Sequence, residues 1–300
     1  MGDRYSAFVS VIVPVFNDSE HLKTCLEALE SQTYPKNLYD VIVVDNASDE
    51  DIESVVSQFS QALTTHESRP GSYAARNKGI SLAKGDVIAF TDADCIPATD
   101  WIEKGVAKLL HLSNCGLVAG KVEFVFKNPN QPTAVELYDS VTFLQQQKYV
   151  EILNFGATAN LFTFKSVIND VGVFNDTLKS GADREWGQRV FSSGYKQIYA
   201  YDTCVAHPAR HSLDQLYKKT IRVIGGYQDA KKNRGYPFRE LLTDLTADLS
   251  PPCRIFFRIW SNQKLKGHKQ KIQFASVVLF IKYLHAWEKV RLQIGGSSTR

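Results

Sequence analysis

The chain has 300 residues, 44% of them hydrophobic, and a formal net charge of +3. That is enough apolar material for one α/β domain, alone or with an appendage, and the charge is too mild to mark a nucleic-acid binder. Five cysteines (Cys25, Cys95, Cys115, Cys204, Cys253) without C-x-x-C spacing argue against a disulfide framework or a zinc site and read as reduced thiols.

The first ~110 residues alternate between strand and helix patterns. Residues 8–16, FVSVIVPVF, form a β-branched apolar run expected as a buried strand. Leu22, Leu26 and Leu29 recur at helical spacing over 19–32, behind a Ser cap and ahead of Pro35. A second strand is expected over 39–48, a second helix over 51–63, a third over 72–85 and a further strand over 86–94. Such alternation predicts a doubly wound, mostly parallel central sheet with flanking helices, which binds ligands at the carboxyl ends of its strands. Those ends read PVFND, VDNASD and TDADC, all polar and acidic.

From 115 to 210 the pattern is less regular. It predicts a strand pair or one long strand over 116–126, one helix over 132–150, and a strand entering a helix over 154–170. A helix from about Asp183 to Ser193 and a strand ending at His207 follow. Pro251-Pro252 is the expected boundary of a main domain, 1–250, with a nucleotide-binding half near 8–110 and an acceptor-binding half near 111–225. The remaining 251–300 read as a basic, amphipathic helical tail. Its apolar positions (Phe274, Val277, Val278, Phe280, Ile281, Leu284, Trp287, Val290) and neighbouring Lys and Arg fit either peripheral contact with an anionic membrane through 258–294 or packing on protein. No apolar run reaches the ~18 residues of a membrane span, and no leader pattern is evident. The expected location is cytoplasmic, with association at the inner membrane face left open.

Asp92 and Asp94 follow a buried apolar run, where a carboxylate needs a compensating partner. Two acids at i and i+2 of extended backbone point to one side and suit a hard cation such as Mn²⁺ or Mg²⁺, with a diphosphate as companion. The alternative is a helix cap for the segment that follows. Arg76 offers a phosphate fork or an ordinary surface charge. Asp45 and Asp49 offer acceptors to a ribose or base, or shape a strand-to-helix turn.

VSVIVPVFND, VIVVDNASDE, GSYAARNKGISLAKGDVIAFTDADC and GADREWGQRV, in this order, resemble the family-2 glycosyltransferases of GT-A fold over roughly residues 8–225. The resemblance implies that Pro14, Val15, Phe16 and Asn17 line the base pocket, with Asp45 on base or ribose. It places Gly71, Arg76 and Asn77 by the ribose-diphosphate, Asp92 nearer the ribose, and Asp94 on the metal, with His207 either a further ligand or a structural histidine. SGADREW departs from the usual Glu-Asp motif by carrying Ala182-Asp183. Asp183 is therefore the expected catalytic base and Glu185 a substitute; the alternatives are a helix cap for Asp183 and an i+4 pair with Arg189 for Glu185. Trp186 is either a sugar platform or a core residue. Arg210, His211 and Arg222 are weaker phosphate contacts. The implied activity is metal-dependent, inverting transfer from a nucleotide-diphosphate sugar, UDP first, to a saccharide or lipid-linked acceptor in polysaccharide or glycolipid synthesis. A non-catalytic nucleotide-sugar-binding protein is the alternative, because of the Glu-to-Ala departure.

Overall fold

The computed structural model describes residues 7–232, 238–250, 265 and 267–298. Eight strands run in chain order as β1 (Val9–Val15), β2 (Tyr39–Asp45), β3 (Ala62–His66), β4 (Val87–Thr91), β5 (Ile96–Pro97), β6 (Cys115–Val125), β7 (Asn160–Phe164) and β8 (Lys196–Pro208). The helices are α1 (Ser19–Glu30), α2 (Ile52–Val56), α3 (Ser72–Leu82), α4 (Trp101–His111), α5 (Ala134–Thr142), α6 (Gln146–Leu153), α7 (Lys165–Val171), α8 (Ala182–Ser192), α9 (Leu213–Lys232), α10 (Phe238–Leu249) and α11 (Gly267–Gln293).

The chain divides into two compact units: residues 1–124, 144–177 and 182–208, and residues 125–143, 178–181 and 209–300. The first holds a single mixed sheet in the order β3-β2-β1-β4-β7-β6-β8-β5. Its first four strands are parallel, with Val15 opposite Asp45 and Ile12 opposite Phe90. This register brings the carboxyl ends of β1, β2 and β4 to one edge, as their acidic sequences require. β7 then enters antiparallel to β4, pairing Thr91 with Asn160. Every residue of β1 is buried, because both faces of this central strand are covered. Each such Val or Ile contributes about 1.5–3 kcal/mol of transfer free energy.

Several expectations are corrected. The helix over 51–63 is only α2, and Ala62–His66 is the parallel edge strand β3. Its half-exposed, non-alternating sequence carries little strand signal. The helix over 132–150 is two, α5 and α6, broken where Leu144 takes φ 49°. Of the two alternatives for 116–126, the single long strand is the one found, β6, ending at Val125. The third helix stops at Leu82, three residues short of the glycine expected to end it.

The second unit is helical. α5 starts with a reciprocal cap: Thr133 Oγ1 accepts the Glu136 N–H, and Glu136 accepts the Thr133 N–H. Val135, Tyr138, Leu216, Phe274, Val278 and Ile281 form its core. α11 packs against α5, α9 and α10, and Lys289 pairs with Asp248 at 2.6 Å. The expected tail is thus a packed helix that still leaves Tyr283, Trp287 and Ile294 exposed. Pro251-Pro252 and most of the basic stretch 258–271 lie outside the described residues. No described helix is long and apolar enough to cross a membrane.

Candidate active site

The sheet edge that collects the strand ends also collects the site. After β1, Phe16 and Asn17 are exposed while Pro14 and Val15 are buried. Asn17 takes φ 49°; its N–H donates to Ser48 Oγ at 2.9 Å and its Oδ1 accepts the Asp49 N–H at 2.7 Å. Asp45, at the end of β2, accepts the Ser48 N–H at 3.0 Å and lies 3.4 Å from His66 Nδ1.

Asn46 was not anticipated as a structural residue. Buried, it donates to the carbonyls of Glu67 and Arg69 and accepts the Gly71 N–H at 2.8 Å. It thereby fixes the loop that leads into α3. Gly71 itself adopts φ 127°, a conformation side chains disfavour.

α3 carries the next layer. Arg76 is 4% exposed and pairs with Asp92 through Nη2 and Oδ1. Its guanidinium lies 5.5 Å from the centre of the Tyr73 ring. Tyr73 donates its hydroxyl to Asp183 Oδ1 at 3.1 Å. Asn77 spends both amide groups on the main chain of Phe174, at 2.8 and 3.1 Å. Phe174 packs in turn on Tyr73, Phe90 and Trp186. Trp186 is fully buried and donates to the Gly172 carbonyl, so it is a core residue and no sugar platform.

Asp183 sits in the first turn of α8 and also accepts the Arg184 N–H at 2.9 Å. Burial pushes its carboxyl above the ordinary 3.8; the Arg184 N–H, Arg76 and Tyr73 pull it back, and Asp92 adds to the rise. Such a group binds a proton more readily than a surface acid, as a general base requires. Glu185 forms the i+4 pair with Arg189 at 2.8 Å, and Arg189 also holds the Val171 and Val173 carbonyls.

The two acids of TDADC do not lie in extended backbone, so the i, i+2 rule of a strand does not apply to them. They lie in a turn after β4, closed by the Cys95 N–H on the Asp92 carbonyl at 3.0 Å. Asp92 therefore faces Arg76, while Asp94 faces His207. β5 pairs with β8, setting Ile96 opposite Ala206 and so bringing Asp94 beside His207. The Asp94 Oδ2 to His207 Nε2 distance is 3.4 Å. His207 Nδ1 lies 2.8 Å from the Pro208 carbonyl, which can only accept, so Nδ1 carries the proton. The Nε2 lone pair then points at a carboxylate, an arrangement that fits a divalent cation or a proton between them. Carboxylate and imidazole are suitable ligands for such a cation.

Arg210 belongs to the second unit, where its guanidinium and N–H bind the fully buried Asp139 at 3.0–3.2 Å. The His211 N–H donates to Gln215 ahead of α9, and Arg222 lies on α9.

A parallel half-sheet with acids, a buried arginine and a histidine at its carboxyl edge belongs to the GT-A type of glycosyltransferase fold. Likeness to solved structures agrees. A mannosyltransferase of Pyrobaculum calidifontis, PcManGT, solved in complex with GDP-Man and Mn²⁺, aligns with TM-score 0.62 and 17% identity over 96% of this chain and 87% of that chain. The chain belongs to glycosyl transferase family 2, whose sequence profile matches residues 10–172. Glycosyltransferase AglE of Haloferax volcanii is 42% identical over 224 residues, 73% of this chain and 72% of that protein. A dolichyl N-acetyl-alpha-D-glucosaminyl phosphate 3-beta-D-2,3-diacetamido-2,3-dideoxy-beta-D-glucuronosyltransferase of Methanococcus voltae is 22% identical over 247 residues, 76% of this chain and 75% of that protein.

Proposed function

We propose that this enzyme moves one sugar from a nucleotide-diphosphate sugar, UDP-linked first, to a hydroxyl of a saccharide or lipid-linked acceptor. Transfer proceeds with inversion and with a divalent cation, Mn²⁺ or Mg²⁺. The observation that carries this reading is the continuous chain of contacts Asp183–Tyr73–Arg76–Asp92 at the edge where Asp94 meets His207.

Asp183 takes the proton of the acceptor hydroxyl as its oxygen attacks the anomeric carbon and the bond to the diphosphate breaks. Glu185, held by Arg189, ranks second. Arg76 keeps a buried Nε–H without a hydrogen-bond partner and offers its charge to the departing diphosphate. Asp92 accepts from the ribose. Asp45, Phe16 and Asn17, framed by Pro14 and Val15, take the base and ribose, and Gly71 and Asn77 hold the loops beside them. Arg210 is engaged with Asp139 inside the second unit, where Lys219 also lies 3.7 Å from that carboxylate. Asp94 and His207, with Asp92 nearby, would hold the cation, which supplies positive charge to the leaving diphosphate when bound.

The name of the Methanococcus relative specifies a dolichyl-linked substrate, which supports a lipid-linked acceptor here. Exposed Phe280, Tyr283, Trp287 and Ile294, with the lysines of α11, support contact with an anionic membrane surface. The test is nucleotide release from UDP- and GDP-sugars with Mn²⁺, with and without a dolichyl-phosphate-linked sugar. Release from one donor class that Asp183→Asn abolishes upholds the reading. Release unchanged in the variant removes Asp183 as the base.

A further inference from the structure

Cys95 completes a third corner of the cation site. Its Sγ, an Asp94 carboxylate oxygen and a His207 ring nitrogen all lie within 4.8 Å of one another. Cys95 and His207 are buried, at 0% and 4% exposure. The turn that aims Asp94 at His207 also aims Cys95, because the Cys95 N–H closes it and β5 follows directly. We propose that Asp94, Cys95 and His207 form a three-ligand site with one open position that takes Zn²⁺ in preference to Mn²⁺ or Mg²⁺. This rests on the reading that Asp94 and His207 hold a cation, and adds a thiolate to it.

The donor set carries the argument. Sulfur, imidazole and one carboxylate select zinc-class ions, whereas Mg²⁺ and Mn²⁺ favour oxygen. A tetrahedral Zn²⁺ with bonds of about 2.0–2.3 Å spaces its ligand atoms by about 3.3–3.6 Å. The Asp94–His207 separation of 3.4 Å matches that edge. The Pro208 carbonyl fixes His207 in the tautomer that binds through Nε2. On binding, Cys95 gives its proton to solvent, and the ion's charge replaces it in the buried site. The consequence is that Zn²⁺ displaces the Mn²⁺ or Mg²⁺ of the working enzyme.

The full chain is loaded with one equivalent of Zn²⁺, or of Co²⁺ as its spectroscopic substitute. X-ray absorption at the zinc edge should give one sulfur at about 2.3 Å with nitrogen and oxygen neighbours. The cobalt form should have a sulfur-to-cobalt charge-transfer band that Cys95→Ala removes and Cys25→Ala keeps. By calorimetry, Cys95→Ala should weaken Zn²⁺ at least about tenfold while leaving Mn²⁺ within about twofold. A zinc shell without sulfur, or a band that survives in Cys95→Ala, overturns the proposal. The absorption measurement needs no variant, so it decides even if Cys95→Ala fails to fold. Loss of Mn²⁺ binding in His207→Ala tests the underlying cation reading separately.

Discussion

Asp183 meets opposing demands. Its charge is costly where it sits, and its neighbours only partly offset that cost. Replacing it by Asn should leave donor binding within about twofold and slow transfer about 100- to 10,000-fold, read by single-turnover kinetics. The same substitution should stabilise the chain. An acid whose folded pKa is raised destabilises the fold in full above that pKa, and the penalty fades as pH falls through it toward 3.8. The Tm of Asp183→Asn should therefore exceed that of wild type at neutral pH and converge on it in acid. Activity has the matching sign: its acid limb should lie above the ordinary carboxylate range. The acids were legible because carboxylates at the ends of apolar strands need an explanation. Their partners were not. Tyr73, Asn46 and Cys95 look like filler in sequence; Tyr73 binds Asp183 and Asn46 binds the loop before α3, contacts made only in three dimensions, and the pairing of β5 with β8 brings Cys95 near His207.

At the scale of elements, Asn160 joins four pieces of the first unit. From the start of β7 it accepts from Trp101 of α4 and donates to the carbonyls of Lys121 in β6 and Thr203 in β8, all at 2.9 Å. Asn160→Ala removes three hydrogen bonds and strands buried polar groups, so it should cost about 3 kcal/mol or more, seen as a lower urea midpoint. Gly105 is a second such point. A Cβ there would stand 2.3 Å from the Phe162 ring, which is fully buried, so Gly105→Ala should cost about 1–3 kcal/mol in the same titration. β1 was readable because a strand covered on both faces is continuously apolar, and α1 because burial of one face sets a helical period on its leucines. β3 and the break at Leu144 were not: an edge strand is half solvated, and a positive φ at a leucine has no sequence signal.

At the scale of the molecule, the sequence pattern could not reveal that residues 125–143 join 209–300 in a separate helical unit, because the segments meet only in three dimensions. The apolar stripe of the tail was visible, but packing in that unit takes only one side of it. Tyr283 and Trp287 keep the other side exposed, so wild type should float with anionic vesicles and a Tyr283→Glu, Trp287→Glu variant should stay in solution. The family fixes the class of reaction. Binding of a sugar donor at the sheet edge through a cation on Asp94 and His207 is best measured by calorimetry of UDP- and GDP-sugars with and without Mn²⁺, on wild type and Asp94→Asn. Binding of one donor class should require Mn²⁺ and be lost in Asp94→Asn. Binding that is indifferent to both Mn²⁺ and Asp94 would contradict this assignment.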